Sequence, residues 1–304
     1  MLGQPLMVLP ANRAVILDNI SCPYCGALLA DGTSTTEHVI GRRFVPKGTM
    51  NTCWNLILRA CLDCNGHKAD LEDDISAITM APDLLGRYAE DEPILREEAE
   101  RKARKSLSRR TGKPVSDSSE RITFKVPFGR GGYMRGEFVS PPQVDMERIY
   151  DLARLQLTAF FYFLSYQPAD RRGWFWTPVG FHPLEHVIRA DWGNPTLLAF
   201  TDAIASWDPR LVAISAEGYY RALIRRHPSA NCWAWALEWN RNYRLAGFFG
   251  DRDAAQEVVN AFPEMNVTTL HESPNRYIRM RKNVPLREGD DRLFEVAESA
   301  ENSS

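Results

Sequence analysis

Two pairs of cysteines, each with two residues between its members, constrain the fold of this chain more than any other feature. Cys22 and Cys25 form the first pair, and Cys61 and Cys64 form the second. A C-x2-C turn points both sulfur atoms at one ion, so two such pairs can hold a single tetrahedral zinc ion. A closed shell of four thiolates leaves no coordination position open for a substrate. The predicted zinc therefore stabilises the fold and does not perform chemistry.

The composition indicates a globular protein without a strong overall charge. The 304 residues are 44% hydrophobic, which is enough for a packed core, and the length suggests about two domains. The net charge of −2 excludes a uniformly basic nucleic-acid binder, so contacts with nucleic acid would depend on local basic patches.

Neither a membrane span nor a signal peptide is expected. No stretch approaches the roughly 18 consecutive apolar residues that a spanning helix needs. The N-terminus has no basic segment followed by an unbroken apolar one. Cys53 and Cys232 fall outside the metal spacing and are expected to be buried apolar residues. This use of cysteine is typical of a reducing compartment, so we expect a cytoplasmic protein.

Apolar periodicity predicts a protein of the α+β class. Two short strands, at 35–40 and 52–58, precede a helix that begins near the second cysteine pair. The segment 143–166 is apolar over most of its circumference and predicts a central core helix. The remaining pattern predicts a hairpin turn at 128–136, antiparallel strands at 219–224, 232–239 and 245–249, and helices at 195–207 and 253–262.

A set of polar residues lies between and beside the cysteine pairs, and a purely structural zinc knuckle does not need them. The order is C-x2-C, then Glu37-His38, then Asn55-Leu56 seventeen residues after the histidine, then C-x2-C followed by Asn65 and Lys68. This arrangement resembles the HNH endonuclease family in its zinc-containing form. The resemblance covers about residues 20 to 75, a quarter of the chain, and does not extend to 100–304.

The resemblance implies a small ββα-metal nuclease module, stapled by zinc, that hydrolyses DNA phosphodiester bonds with a divalent cation. His38 would be the general base, since histidine takes up a proton readily at neutral pH. Glu37 and Asn65 would hold Mg²⁺ or Mn²⁺, which prefer such oxygen ligands. Asn55 would orient the loop that carries the base, and Lys68 would contact a phosphate.

The chain departs from the family pattern in the loop that follows the general base. Gly41 stands where the family often has proline, and the usual pair of glycines is reduced to Gly48. These changes affect the shape of the loop and remove no chemical group.

Basic residues near this module are candidates for nucleic-acid contacts. Arg42, Arg43 and Lys47 follow the general base directly, and we expect them to contact the scissile strand. The segment 101–113 holds seven lysines or arginines and no acid. It either contacts DNA, with a steep salt dependence, or forms a solvated helix whose charges pair with the acids just before it.

Three further histidines could have either a functional or a purely structural role. His67 is expected to be solvated or to contact a phosphate. His182 and His186 are four residues apart and could share one face of a helix as metal ligands, but the proline and aromatic residues around them favour core packing.

We therefore predict three segments: a nuclease module at 1–80, a charged linker or helix at 81–120, and an α+β accessory domain for target recognition or regulation at 121–304. The first functional hypothesis is a metal-dependent DNA endonuclease. One alternative is a non-catalytic zinc knuckle that binds nucleic acid or protein, which would need neither Glu37 nor His38 nor Asn65. Another is a defence effector nuclease gated by a regulatory ligand or protein on the C-terminal domain. Since one HNH site cuts one strand, duplex cleavage would need two sites, as in a homodimer.

Overall fold

The structure is a computed structural model that describes residues 7–8, 14–81, 93–265, 267–273, 276–287 and 289–295. Expectations for the other residues, which include 82–92 of the predicted charged linker, lie outside this description. The described residues form a mixed fold of helices and largely antiparallel sheets, as the sequence predicted. None of their helices is long and apolar enough to cross a membrane.

Thirteen strands and five α-helices lie within the described residues. The strands are β1 (Met7–Val8), β2 (Val15–Ile16), β3 (Ser34–His38), β4 (Leu56–Cys61), β5 (Glu120–Phe128), β6 (Gly132–Ser140), β7 (Phe181–Ile188), β8 (Asp208–Ser215), β9 (Tyr220–Arg226), β10 (Cys232–Trp239), β11 (Tyr243–Gly250), β12 (Thr268–Ser273) and β13 (Arg276–Met280). The helices are α1 (Leu62–Thr79), α2 (Pro93–Lys105), α3 (Met146–Leu164), α4 (Pro195–Ile204) and α5 (Arg252–Asn260).

The cysteine-bearing part of the chain is a small sheet followed directly by a helix. Strand β4 pairs antiparallel with β3 on one side and parallel with β2 on the other. Alternate residues of β4 are buried, so one face of this sheet packs on the core. Helix α1 begins immediately after β4, with Cys61 as its N-cap. The predicted order of two strands and a helix is confirmed, although β4 begins four residues later than predicted. Asn55, just before β4, bonds the main chain of Ile40 through its side chain, and its carbonyl oxygen accepts from the amide of Val15 in β2.

A six-stranded sheet forms the centre of the rest of the chain, in the order β1-β8-β9-β10-β11-β7. Strands β7 to β11 pair antiparallel, and β1 joins the edge in parallel. All eight residues of β10 are buried, because both faces of the sheet are covered. Trp233 and Trp235 face the core that contains α3, whereas Ala234 and Ala236 face the core that contains α4 and α5. The predicted apolar helix is α3, and it is central as expected.

The cysteine-bearing part and the large sheet share one hydrophobic core. Trp54 stacks on Phe160 of α3 with ring centroids 5.9 Å apart, and Phe44 meets Trp239 edge-on at 5.2 Å. Asn240 also donates a hydrogen bond of 3.2 Å to the carbonyl oxygen of Phe44. Helix α3 therefore connects the predicted module to the sheet through continuous packing.

Strands β7 and β8 were not predicted from the sequence. His182 and His186 lie in β7, a strand and not the helix on which they could have shared a face. The ring of His186 packs between Tyr150 and Tyr243, and His182 lies 3.3 Å from the carbonyl oxygen of Gly250. These contacts agree with the core-packing interpretation.

Candidate functional site

The four cysteines of the two C-x2-C pairs converge on one point. Their sulfur atoms all lie within 4.8 Å of one another, and those of Cys25 and Cys61 are 3.8 Å apart. Zinc–sulfur bonds of about 2.3 Å would place the sulfurs of a tetrahedral site about 3.8 Å apart. The spacing therefore fits a single metal ion such as zinc.

Local geometry brings each cysteine pair to this point. The first pair lies in a turn closed by a hydrogen bond from the Gly26 amide to the Cys22 carbonyl, and Gly26 adopts a positive φ of 77° that glycine tolerates best. The second pair spans the junction of β4 and α1, where Cys61 ends the strand and Cys64 lies in the first helical turn. The turn and the junction together aim four sulfurs inward.

The environment of the thiols disfavours four free thiolates. Burial raises the pKa of Cys22 to about 11, and burial also raises the pKa of Cys64. Burial alone would raise the pKa of Cys61 as well, but hydrogen bonds from neighbouring backbone and thiol groups lower it. A divalent cation would stabilise the thiolate form of the whole cluster, because metal binding displaces the thiol protons.

A buried charge network lies next to the cluster and connects β3 to α1. The Lys68 ammonium group is 2.8 Å from Glu37 Oε1 and 2.6 Å from Glu72 Oε1, and it donates to the carbonyl oxygen of His38. The Tyr24 hydroxyl donates to the same oxygen of Glu37, at 2.9 Å. Burial alone would lower the pKa of Lys68, but the two carboxylates outweigh it and raise that pKa.

The network leaves the side chains of Lys68 and Glu37 almost inaccessible to solvent. Lys68 is only 1% exposed, so its position does not fit the predicted phosphate contact. Its charge is already compensated by two carboxylates within the fold. Glu37 is 3% exposed, and both of its observed contacts use Oε1.

His38 ends β3 with its side chain half-buried. Among the residues that the structure describes, none hydrogen-bonds its imidazole ring. Burial lowers the pKa of His38, and the positive charge of Arg42 acts in the same direction, while Glu37 opposes them. A lowered pKa favours the neutral form of the ring, which can accept a proton.

Asn55 and Asn65 both follow this histidine in the chain, and they have different surroundings. Asn55 is buried and bonds both main-chain groups of Ile40: its Nδ2 donates to the carbonyl oxygen at 2.9 Å, and its Oδ1 accepts from the amide at 3.1 Å. It thus fixes the loop that follows His38. Asn65 lies in the first turns of α1, three residues before Lys68, so it is on the helix side that approaches β3. It does not cap the helix, since that position belongs to Cys61.

The basic residues predicted after the histidine lie on the surface. Arg42, Arg43 and Lys47 are exposed, and they line a cavity of about 800 Å³ together with residues of α1 and α2. His67 is exposed on α1 and pairs with Asp151 of α3. It therefore ties these two helices together.

Two members of the site were missed from the sequence: Tyr24, which lies inside the first cysteine pair, and Glu72. The spacing of Glu72 from Lys68, four residues on a helix, was a readable signal for an ion pair. Nothing in the spacing of Tyr24 indicates that its hydroxyl reaches Glu37.

Comparison of the chain with protein-family models, with curated proteins and with solved structures returns no match in any of the three. The functional argument therefore depends on the residues and their geometry.

Proposed function

We propose that this chain is a metal-dependent endonuclease that hydrolyses DNA phosphodiester bonds at His38. The single observation that carries the proposal is the arrangement around that histidine. A half-buried imidazole, without a hydrogen-bond partner among the described residues and with a lowered pKa, directly follows Glu37 at the end of β3. A histidine held only for structure would normally have its ring nitrogens bonded.

In this proposal His38 removes a proton from the water molecule that attacks phosphorus. The new bond forms between the water oxygen and phosphorus, the bond from phosphorus to the 3′ oxygen breaks, and the leaving oxygen takes a proton from solvent. Asn55 keeps the loop after His38 in place and so orients the ring. Mg²⁺ or Mn²⁺, when bound, would stabilise the charge that develops on the phosphate and on the leaving oxygen.

The residues present can supply oxygen ligands for such a cation. Glu37 would offer Oε2, because Tyr24 and Lys68 both contact Oε1. Asn65 would offer its amide oxygen from α1. Zinc in the cysteine cluster would fix the orientation of α1 relative to β4, since Cys61 belongs to β4 and Cys64 to α1.

One observation favours a second candidate, a zinc knuckle that binds nucleic acid or protein without hydrolysis. Glu37 is buried and paired with Lys68, so its charge is compensated within the fold without a cation. A binding module would keep this pair unchanged. Cleavage activity distinguishes the two proposals.

Incubation of supercoiled plasmid with the purified protein is expected to give nicked or linear DNA with Mg²⁺ or Mn²⁺, and no cleavage with EDTA. Brief exposure to EDTA should stop the reaction while zinc remains bound, because four thiolates hold zinc far more tightly than two oxygen ligands hold Mg²⁺. Zinc content measured on the same EDTA-treated sample is the control. Plasmid that stays intact with either cation while the protein still retards its migration would support the binding module.

Replacement of Asn65 with alanine is expected to raise the Mg²⁺ concentration needed for half-maximal cleavage by about tenfold or more, because an oxygen ligand is lost. Asn65→Asp keeps an oxygen at this position and should restore the parent's dependence on Mg²⁺. Asn55→Ala should instead lower the rate at saturating Mg²⁺, because it releases the loop after His38. Titrations of cleavage rate against Mg²⁺ for the four proteins provide the measurement. If Asn65→Ala responds to Mg²⁺ as the parent does, Asn65 is not a ligand.

A further inference from the structure

The cavity of about 800 Å³ beside the candidate site has a strongly basic lining. It lies between the loop after β3, one face of α1 and one face of α2. We call its six basic residues the basic cleft: Arg42, Arg43, Lys47, Arg101, Lys102 and Lys105. The first three come from the loop and the last three from α2, so basic residues face each other across the cavity.

The acidic residues of this cavity do not neutralise most of these cations. Three carboxylates line it, and each has its own partner: Glu72 pairs with Lys68, Glu98 with Arg101, and Asp73 with Arg109. Among the described residues, no carboxylate forms an ion pair with the other five basic residues, which are Arg42, Arg43, Lys47, Lys102 and Lys105. An excess of unpaired positive charge around one cavity attracts anions.

Lys102 is the most deeply buried member of the basic cleft. It is only 6% exposed, and its ammonium group donates to Ser76 Oγ at 2.8 Å. Burial lowers the pKa of Lys102 to about 8. A buried cation with no carboxylate at ion-pair distance is costly, whereas Lys68 on α1 has two such partners. A bound phosphate in the cavity would compensate the charge of Lys102.

Three arginines of the basic segment that do not line the cavity behave differently. Arg104 pairs with Glu100, Arg109 pairs with Asp70, and Arg110 pairs with residues of β5 and the α3 N-terminus. These three arginines do not line the cavity and are paired, whereas Lys102 and Lys105, which line it, form no ion pair among the described residues. The interpretation as charges paired within the fold therefore fits these three arginines and leaves Lys102 and Lys105 to be explained.

We propose that the basic cleft binds the phosphate backbone of a nucleic-acid strand, with α2 forming the wall opposite the loop that follows His38. This inference rests on the proposed function, which places the cleavage reaction at His38. It deepens that function by assigning the surface along which the nucleic-acid strand would lie. The five cations without an ion pair carry more positive charge than a single phosphate would neutralise, and they lie on two sides of the cavity. This arrangement favours a polyanion as the ligand. Arg42 is close enough to His38 to influence its charge, so the loop side of the cleft adjoins the candidate site.

The test is binding of fluorescein-labelled DNA, measured by anisotropy without added Mg²⁺ or Mn²⁺ so that no cleavage is required. Lys105→Glu changes an exposed residue and is expected to weaken binding by about tenfold. Log affinity falls linearly as log salt concentration rises. Lys105→Ala should make that fall shallower, reducing the magnitude of the slope by about 0.7–0.9, the loss expected for one phosphate contact. Lys102→Met keeps the length of the side chain and should lower the slope similarly.

Arg104→Ala is the matched control. Arg104 is exposed on the same helix next to Lys105, but it pairs with Glu100 and does not line the cavity. Its affinity should stay within about twofold of the parent's, with the same salt slope. Thermal melts check that Lys102→Met is folded. If Lys102→Met is not folded, the binding measurements on the two Lys105 variants alone test the proposal.

Binding of Lys105→Glu with the parent's affinity and salt slope would overturn the proposal, as would a parent that does not bind DNA. Inorganic phosphate or a mononucleotide that binds the cleft as tightly as the oligonucleotide would also overturn it, since the occupant would then be a small anion. Failure of the nuclease proposal gives a different result: DNA binding that depends on Lys105 would persist without any cleavage.

Discussion

The His38→Ala variant is expected to lose plasmid cleavage while it keeps its fold and its affinity for DNA. Removal of a general base typically lowers a rate by about 10²–10⁴-fold. The fold should change little, because the ring is half-buried and no described residue hydrogen-bonds it. The measurement is a time course of nicking at saturating Mg²⁺, with anisotropy and thermal melts on the same preparation.

A matched control for this experiment is His67→Ala. His67 lies in the same part of the chain, but its ring pairs with Asp151 and ties α1 to α3. This variant should melt at a slightly lower temperature and cut DNA at close to the parent's rate. If His38→Ala cuts as fast as the parent, His38 is not the base. If His67→Ala alone loses activity, the general base has been assigned to the wrong histidine.

Features that depend on local spacing could be predicted from the sequence. The two C-x2-C turns fix where four sulfurs point, and the structure brings those sulfurs together. The core helix α3 could be predicted from its own residues, because they are apolar over most of the helix circumference. The structure agrees, since twelve residues of α3 are buried. The strand predicted at 232–239 is β10, which depends likewise on a local pattern of apolar residues between turns.

Features that depend on how distant segments pack could not be predicted. Lys68 occupied a position typical of a phosphate contact, yet β3 and α1 close over it and leave it between Glu37 and Glu72. Strand β7 combines two histidines, a proline and a glutamate, so it lacks a clear alternation, and it lies at the edge of the sheet where burial is partial. Which lysines of α2 face the cavity is decided by the docking of α2 on α1, to which Lys102 contributes through Ser76.

The Cys61→Ser variant is expected to lose zinc and to be insoluble or partly unfolded. Structural zinc supplies folding energy directly, with apparent binding free energies of about 10–16 kcal/mol in small zinc domains at neutral pH. The loss should extend beyond the cluster, because Cys22 and Tyr24 belong to the same core as α3 and the large sheet. Elemental analysis of the parent should give one zinc per chain, and circular dichroism should report the unfolding of the variant.

Cys53→Ser is the control for the zinc experiment. Cys53 is also a partly buried free cysteine, but it lies outside the cluster, and among the described residues its sulfur accepts one hydrogen bond, from the amide of Glu217. This variant should keep one zinc and melt close to the parent. Parent protein without zinc, or Cys61→Ser that melts like Cys53→Ser, would show that the four sulfurs do not hold a structural metal. In that case β4 and α1 would have to be held together by the Glu37–Lys68–Glu72 network and the surrounding core alone.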